Sequence, residues 1–205
     1  MPPRVTIIDY GMGNLHSVSK ALEHLECAAE ITDDPARVRE ARRLILPGVG
    51  AFGDAMRELE RRRLVEPLLD RVAAGVPLLG VCLGMQLLLE TSEESPGVAG
   101  LGLIPGTVRR FRTDLKVPQM GWNTVRQVRQ APLFAGIPDE SWFYFVHSFY
   151  VAPANGAGGA VAGVTDYAGE FPSVLWRDHV QATQFHPEKS QSLGLQMLRN
   201  FTRME

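Results

Sequence analysis

The residues best suited to chemistry are a cysteine at a sharp turn and a histidine followed two positions later by a glutamate. Cys82 lies between Gly80 and Gly84, after a short apolar run and before a run that favours helix. A strand that turns into a helix through Gly-x-Cys-x-Gly has the form of a nucleophile elbow. Unpaired N–H groups and the positive end of the helix dipole there favour a thiolate and an oxyanion. The same pattern also fits a buried structural cysteine in a Gly-flanked turn.

A histidine near the other end of the chain favours the catalytic interpretation of Cys82. His186 follows the alternating segment 180–185, and Pro187 biases it toward an extended conformation. In an extended chain, residues two apart face the same side, so that Glu188 can orient the imidazole. The other ring nitrogen is then free to face a nucleophile, as in a catalytic triad. Cys82 and His186 are far apart in the sequence, so only the fold can bring them together.

The two motifs together resemble the paired signatures of class I glutamine amidotransferases. They are Gly-Val-Cys-Leu-Gly-Met-Gln at 80–86 and Gln-Phe-His-Pro-Glu at 184–188. Three further segments, 9–15, 118–123 and 145–149, resemble one branch of that family, the glutaminase subunits of imidazole glycerol phosphate synthases. The resemblance covers nearly the whole chain. It implies that the substrate is glutamine, hydrolysed to glutamate and ammonia through a cysteine thioester.

The resemblance also implies a partner for the released ammonia. In that branch the ammonia passes directly to a cyclase subunit, a (β/α)₈ barrel that forms a heterodimer with the glutaminase. The cyclase makes imidazole glycerol phosphate and aminoimidazole carboxamide ribotide in histidine biosynthesis. No metal or other cofactor is implied for the glutaminase. The sequence itself contains no indication that it binds the nucleotide substrate of the cyclase.

The family pattern implies roles for residues around the cysteine, histidine and glutamate. The N–H of Leu83 and one from the loop at Val49 and Gly50 would form the oxyanion hole. Glutamine contacts are implied for Gly50, Gln86, Ser148 and Phe149. Contacts with the cyclase are implied for Asn14, Met120, Trp122, Tyr144 and Lys189.

Each of these side chains also has a plain structural interpretation. Gln86 fits a polar residue on the solvent face of a helix, and His147 fits a satisfied buried histidine. Met120 and Trp122 fit core positions, and Cys27 fits inert packing. Two other functions remain open: a stand-alone cysteine hydrolase of peptides or γ-glutamyl compounds, and a non-catalytic subunit that kept the fold. The hydrolase would act without a partner and show no preference for free glutamine.

The composition predicts one cytoplasmic domain over residues 1–205. A chain of 205 residues can bury one sizeable core, and 45% hydrophobic and 21% charged residues are ordinary for a globular protein. A net charge of −2 gives no general attraction to nucleic acid or anionic membranes. Two cysteines do not make a disulfide framework. The sequence has neither a signal-peptide pattern nor an apolar run of about 20 residues.

Strands that alternate with helices predict how the first motif is positioned. Strands are predicted at 5–9, 28–32, 43–46 and 77–81. Asn14 is the predicted N-cap of the first helix, and a helix is predicted over 53–73 with an interruption near Pro67. Such alternation predicts a parallel sheet covered by helices, with ligand sites beyond the carboxyl ends of the strands.

The second half of the chain changes to short β-like runs. Asp178 and His179 form the predicted turn of a hairpin, and a final helix is predicted over 193–201. The predicted fold is therefore α/β, with a single open and mostly parallel sheet flanked by helices, as in flavodoxin-like proteins and class I glutamine amidotransferases. Antiparallel strands would be added to it in the C-terminal half.

Overall fold

The computed structural model describes residues 3–154 and 159–204. Within them the strands are β1 (Arg4–Ile8), β2 (Ala28–Thr32), β3 (Leu44–Gly48), β4 (Leu78–Cys82), β5 (Thr91–Ser92), β6 (Gly106–Arg110), β7 (Gln119–Gln127), β8 (Ser141–His147), β9 (Phe149–Pro153), β10 (Val161–Asp166), β11 (Glu170–Arg177) and β12 (Val180–Thr183). The α-helices are α1 (Leu15–His24), α2 (Pro35–Arg39), α3 (Phe52–Arg61), α4 (Val65–Ala73), α5 (Leu83–Leu87) and α6 (Gln191–Thr202). Short 3₁₀ turns occur at Pro132–Phe134 and Pro187–Lys189.

A sheet of nine strands forms the centre of the molecule, in the order β2-β1-β3-β4-β12-β11-β10-β7-β8. The first five strands in this order are parallel, and the other four pair in antiparallel fashion. Alternate residues of β3 belong to two different core clusters, Leu44 and Leu46 to one and Ile45 to the other. Both faces of the sheet are therefore buried, as a parallel sheet requires. The predicted α/β fold is confirmed.

The additional C-terminal strands divide between two sheets. β7, β8, β10 and β11 extend the central sheet, whereas β5, β6 and β9 form a separate sheet of three strands. β6 and β9 are antiparallel, and β5 is parallel to β6. The sequence did not indicate this second sheet, because its two-residue strand β5 is too short to produce a periodic pattern.

The helix predicted over 53–73 is two helices. The first, α3, ends at Arg61, and Arg63 then adopts a left-handed conformation with φ of 57°. The second, α4, begins at Val65, so the interruption lies before the predicted position. Pro67 lies in the first turn of α4, where its missing N–H breaks no intrahelical hydrogen bond.

Local capping and turn signals agree with the structure. The Oδ1 atom of Asn14 accepts a hydrogen bond of 3.4 Å from Ser17 N at the start of α1. β11 and β12 form the predicted hairpin, in which Arg177 pairs with Val180 and Asp178 has φ of 53°. The last helix, α6, is longer at both ends than predicted. None of the helices in residues 3–154 and 159–204 has the length and apolar character needed to cross a membrane.

Candidate active site

The chain turns from strand to helix at Cys82 without an intervening loop. Cys82 is the last residue of β4, and α5 begins at Leu83. The cysteine has φ of 55° and ψ of −110°, a conformation that costs a residue with a side chain about 1–3 kcal/mol. Strain of this kind persists where the surrounding structure holds it in place. The strand-turn-helix arrangement expected around the cysteine is therefore present.

Two glycines allow the elbow to pack closely against its neighbours. A Cβ atom on Gly84 would lie 1.8 Å from the carbonyl oxygen of Leu46 in β3, and one on Gly48 would lie 2.3 Å from the hydroxyl oxygen of Tyr10. Gly48 pairs directly with Cys82 in the parallel register. The loop after β3 consequently lies beside the cysteine.

The histidine and glutamate follow β12, the strand next to β4 in the sheet. Thr183 of β12 pairs with Val81 of β4, so the segment after β12 lies at the same end of the sheet as the elbow. The Nδ1–H of His186 donates a hydrogen bond of 2.8 Å to Glu188 Oε1. Both side chains are almost completely buried, with exposures of 2% and 1%. The structure thus brings the cysteine and the His-Glu pair to one place.

Charges around His186 favour its protonated form. Burial acts to lower the pKa of His186, but hydrogen bonding and charge from Cys82 and Glu188 outweigh burial and raise the pKa to about 10. An imidazolium beside a thiol favours the thiolate. The Nε2 atom makes no regular hydrogen bond within the described part of the chain. Nε2 is therefore the ring nitrogen left for proton exchange, and catalytic hydrogen bonds of this kind often reach their full geometry only when a substrate binds.

A cavity of about 300 Å³ opens beside Cys82. Its lining residues are Val49, Gly50, Cys82, Leu83, Gln86, Glu94, Pro118, Val146, His147, Ser148 and Phe149. Every residue for which an oxyanion or glutamine contact was expected is among them. The volume suits a ligand of the size of an amino acid.

Glu94 lines this cavity and was missed by the sequence analysis. Its Oε2 atom accepts a hydrogen bond of 2.7 Å from Phe52 N and so caps α3, whose own N-cap residue is an alanine. Among the lining residues it is the one acidic side chain. A carboxylate held in such a cavity attracts an ammonium group. No motif spacing identifies it, because it is one of two adjacent glutamates and only the fold shows which one faces the cavity.

Gln86 is buried rather than on a solvent face. Its Nε2 donates to the carbonyl oxygen of Phe149 at 3.0 Å and to Gln184 Oε1 at 3.2 Å. Gln184 Nε2 in turn lies 3.9 Å from the sulfur of Cys82. Both Nε2 hydrogens of Gln86 are therefore used within the protein, so that its carbonyl oxygen is the group left for a ligand. The solvent-face interpretation of Gln86 is wrong, and Gln184 had no role in the sequence analysis.

A buried tyrosine supports the loop beside the cysteine. Tyr10 donates a hydrogen bond of 2.7 Å from its hydroxyl to the carbonyl oxygen of Pro47. Burial, together with the charge of Cys82, raises the pKa of Tyr10 above its usual range, so the hydroxyl remains a donor. This bond orients the peptide that precedes Gly48. The sequence analysis assigned no role to Tyr10, because its partner lies in another strand.

His147 lies in an aromatic environment next to the cavity. Burial, and to a lesser extent the positive charge of His186, lowers the pKa of His147 to about 4. Its Nδ1–H donates to the carbonyl oxygen of Phe149 at 2.7 Å. The Nε2 atom has no hydrogen-bond partner among residues 3–154 and 159–204. His147 was expected to be a buried histidine with its hydrogen bonds satisfied, but only Nδ1 has a partner. The neutral ring adds no second positive charge to the site.

The residues expected to contact a partner lie at the surface near the triad. Met120 and Trp122 are 60% and 42% exposed, which rules out core positions. The Trp122 ring meets Tyr144 edge-on at 6.1 Å. Lys189 is exposed directly after Glu188, and α1, which Asn14 caps, packs against this segment.

Unequal reactivity of the two cysteines is a direct expectation from their surroundings. Burial raises the pKa of Cys27, with Arg43 opposing it, and the Cys27 thiol donates to the carbonyl oxygen of Pro3. Cys82 instead lies beside an imidazolium and opens to a cavity. We expect iodoacetamide to label Cys82 at least about tenfold faster than Cys27 at pH 7.

Mass spectrometry of the two cysteine peptides over time measures the two rates. The Cys27→Ser variant provides the control, since its remaining label reports Cys82 alone. Equal labelling rates in the wild-type chain would remove the case for an activated thiolate at Cys82.

Comparisons with known proteins agree with this geometry. The family model for glutamine amidotransferase class-I matches residues 6–204. The chain is 51% identical over 204 residues to the imidazole glycerol phosphate synthase subunit HisH of Syntrophotalea carbinolica, covering 96% of this chain and 98% of that relative. It is 52% identical over 197 residues to the same subunit of Moorella thermoacetica, covering 96% and 93%.

Solved structures show a similar fold at much lower identity. The structure of PurLQS from Thermotoga maritima superimposes with a TM-score of 0.76 at 16% identity, covering 98% of each chain. At this level of identity the likeness concerns the fold alone.

Proposed function

This chain belongs to the class I glutamine amidotransferases, and from that membership we propose that it is the glutaminase subunit of an imidazole glycerol phosphate synthase. The observation that carries the proposal is the position of Cys82 beside the buried His186–Glu188 pair, at the base of a cavity that suits glutamine. We treat the chain as one domain, because a single sheet runs from β2 to β8 with core on both faces.

In the first half of the reaction, the Cys82 thiolate attacks the carboxamide carbon of glutamine. Negative charge develops on the amide oxygen, which the N–H of Leu83 and one from the Val49–Gly50 loop stabilise. Losing one such donor costs about 3 kcal/mol of barrier in acyl-transfer enzymes. The imidazolium of His186 gives its proton to the leaving nitrogen as the C–N bond breaks. Ammonia leaves, and a thioester remains on the cysteine.

In the second half, water resolves the thioester. His186 is now neutral and accepts a proton from the attacking water. The C–S bond breaks, glutamate is released, and the thiolate–imidazolium pair is restored. Glu188 holds the imidazole in the same orientation in both steps, because it is hydrogen-bonded to Nδ1, the ring nitrogen that takes no part in the proton transfer.

Different groups of the cavity lining hold the two ends of glutamine. We assign the α-carboxylate to backbone N–H groups at Ser148 and Phe149, and the α-ammonium to Glu94 and the free carbonyl oxygen of Gln86. Support comes from the cavity lining and from the hydrogen bonds that leave that oxygen available. Tyr10 holds the loop that contains Val49 and Gly50 through its hydrogen bond to the carbonyl oxygen of Pro47.

The partner is a cyclase subunit, which we propose is a (β/α)₈ barrel that docks on Asn14, Met120, Trp122, Tyr144 and Lys189. Exposed aromatic and methionine side chains beside charged ones are typical anchors of an interface. Free ammonia would become protonated in bulk water, so direct transfer to the cyclase conserves it for imidazole glycerol phosphate formation. We propose that both subunits act in the cytoplasm, which suits the two free cysteines of this chain.

Three hydrogen bonds connect Tyr144 to the backbone of His186, one directly and two through Ser190. The carbonyl oxygen of Tyr144 accepts from His186 N at 3.0 Å, and the N–H of Tyr144 donates to Ser190 Oγ at 3.0 Å. Ser190 Oγ donates back to the carbonyl oxygen of His186 at 2.6 Å. A partner that presses on Tyr144 therefore acts on the backbone that carries the catalytic imidazole.

Glutamate release from glutamine, with and without the cyclase and its nucleotide ligand, tests this proposal. We expect strong stimulation by the liganded cyclase. We also expect Trp122→Ala to weaken the stimulation, because the variant removes an exposed anchor and leaves the triad in place.

Gln196→Ala provides a control on α6, since the partly exposed Gln196 side chain bonds, among the residues that the structure describes, to Asn200 alone. A rate that does not respond to the cyclase, with activity on γ-glutamyl peptides instead, would favour a stand-alone hydrolase. Absence of any glutaminase activity in the complex would favour a non-catalytic subunit.

A further inference from the structure

A second cavity, of about 260 Å³, lies between the small sheet and the β10–β11 turn. It does not include Cys82 or any residue of the triad. Six of its lining residues are charged or carry a phenol group: Glu93, Arg109, Arg110, Arg112, Tyr150 and Glu170.

The two carboxylates of this cavity already have partners. Glu93 accepts a hydrogen bond of 3.1 Å from the backbone N–H of Arg110 and lies 3.6 Å from the Arg112 guanidinium. Glu170 pairs with Arg126 at 2.5 Å. Within residues 3–154 and 159–204, no carboxylate lies within 4.0 Å of the guanidinium groups of Arg109 or Arg110. The cavity therefore has positive charge that the protein itself does not neutralise.

The backbone around these arginines is fixed by pairing and packing. Arg109 pairs with Tyr150, and Arg110 with Phe149, in the antiparallel β6–β9 ladder. The next residue, Phe111, is buried and packs against Tyr150, with ring centroids 4.9 Å apart and the ring planes tilted. Consecutive strand residues face opposite sides, so the Arg109 and Arg110 side chains leave the two faces of β6 next to the cavity that both residues line. Both side chains start from fixed backbone positions, which lowers the entropy lost when a guanidinium group holds an anion.

We infer that this cavity binds a phosphate group, either as inorganic phosphate or as part of a small phosphate monoester. Planar guanidinium groups bind phosphate oxygens through paired, charge-assisted hydrogen bonds, which spherical anions such as chloride cannot reproduce. The volume exceeds that of one phosphate ion and leaves room for a small organic group against Tyr150. Binding at this site requires neither the cysteine nor glutamine, so it stands independently of the glutaminase activity.

Isothermal titration of the full chain with inorganic phosphate and with ribose 5-phosphate, at constant ionic strength set with chloride, tests the inference. We expect saturable binding of phosphate that chloride does not reproduce. The double variant Arg109→Gln/Arg110→Gln should bind at least about tenfold more weakly, because each guanidinium contributes charge-assisted hydrogen bonds. Tighter binding of ribose 5-phosphate would identify a monoester as the ligand, and equal binding would identify free phosphate.

Two further variants separate a specific site from a general charge effect. Arg39→Gln/Arg199→Gln removes two exposed arginines on helices and should leave phosphate binding unchanged. Glu93→Gln removes the negative charge nearest Arg112 and should tighten binding. Equal affinity in the wild-type chain and in Arg109→Gln/Arg110→Gln would overturn the inference, as would a phosphate response no larger than that of chloride.

Discussion

A Cys82→Ala variant is expected to hydrolyse glutamine about five orders of magnitude more slowly than the wild-type chain, because the thioester cannot form without the sulfur. The oxyanion hole and the cavity remain, so a small residual rate over water is expected. Steady-state glutamate release in the presence of the cyclase and its ligand measures the loss. Calorimetric binding of glutamine to the same variant should persist, because the proposed binding groups are unchanged.

The matched control replaces the other cysteine. Cys27 is buried in the same core cluster as Cys82 but lies away from the cavity, so Cys27→Ala should keep the wild-type rate. Circular dichroism of both variants checks that the fold is retained. Retention of more than about one per cent of the wild-type rate by Cys82→Ala would contradict covalent catalysis by this residue.

The features that the sequence predicted well depend on short segments of chain. The elbow at Cys82 needs only a buried strand, flanking glycines and a following helix, all within 77–89. The contact of His186 with Glu188 is also local, although only His186 is extended and Pro187–Lys189 form a 3₁₀ turn instead of the predicted extended chain. The cap at Asn14 and the hairpin at 178–179 are equally local. Such features can be predicted because neighbouring residues determine them and few tertiary contacts affect them.

The features that the sequence did not predict depend on distant partners. Glu94 faces the cavity because its carboxylate caps α3, whose own first residues offer no capping side chain. Tyr10 has its role only because Pro47 of a neighbouring strand places a carbonyl oxygen at its hydroxyl. The sequence predicted a helix over 53–73 with an interruption near Pro67, whereas the break lies earlier, at the left-handed residue Arg63. For Glu94 and Tyr10, the deciding contact joins elements that are separate in the sequence.

The second large loss of glutaminase activity is expected in the Glu188→Gln variant. A neutral amide can still accept the Nδ1–H bond of His186, at 2.8 Å in the wild-type chain, but it no longer stabilises the imidazolium by charge. The kcat for glutamine is therefore expected to fall by about three to four orders of magnitude, as when a triad carboxylate becomes an amide. Glu188→Asp keeps the charge and serves as the conservative control, with partial activity expected.

A pH titration distinguishes this charge effect from a simple loss of packing. Cys82 and Glu188 together raise the pKa of His186 to about 10, against the opposing effect of burial, so in the wild-type chain the imidazolium is present below that pH and lost above it. Without the carboxylate charge the pKa of His186 falls, so the imidazolium is lost at lower pH. NMR of labelled histidine, with His186 identified by comparison with His186→Gln, should show a lower apparent midpoint in Glu188→Gln and not in Glu188→Asp. An unchanged midpoint in Glu188→Gln would mean that Cys82 alone sustains the imidazolium, and that Glu188 acts through orientation only.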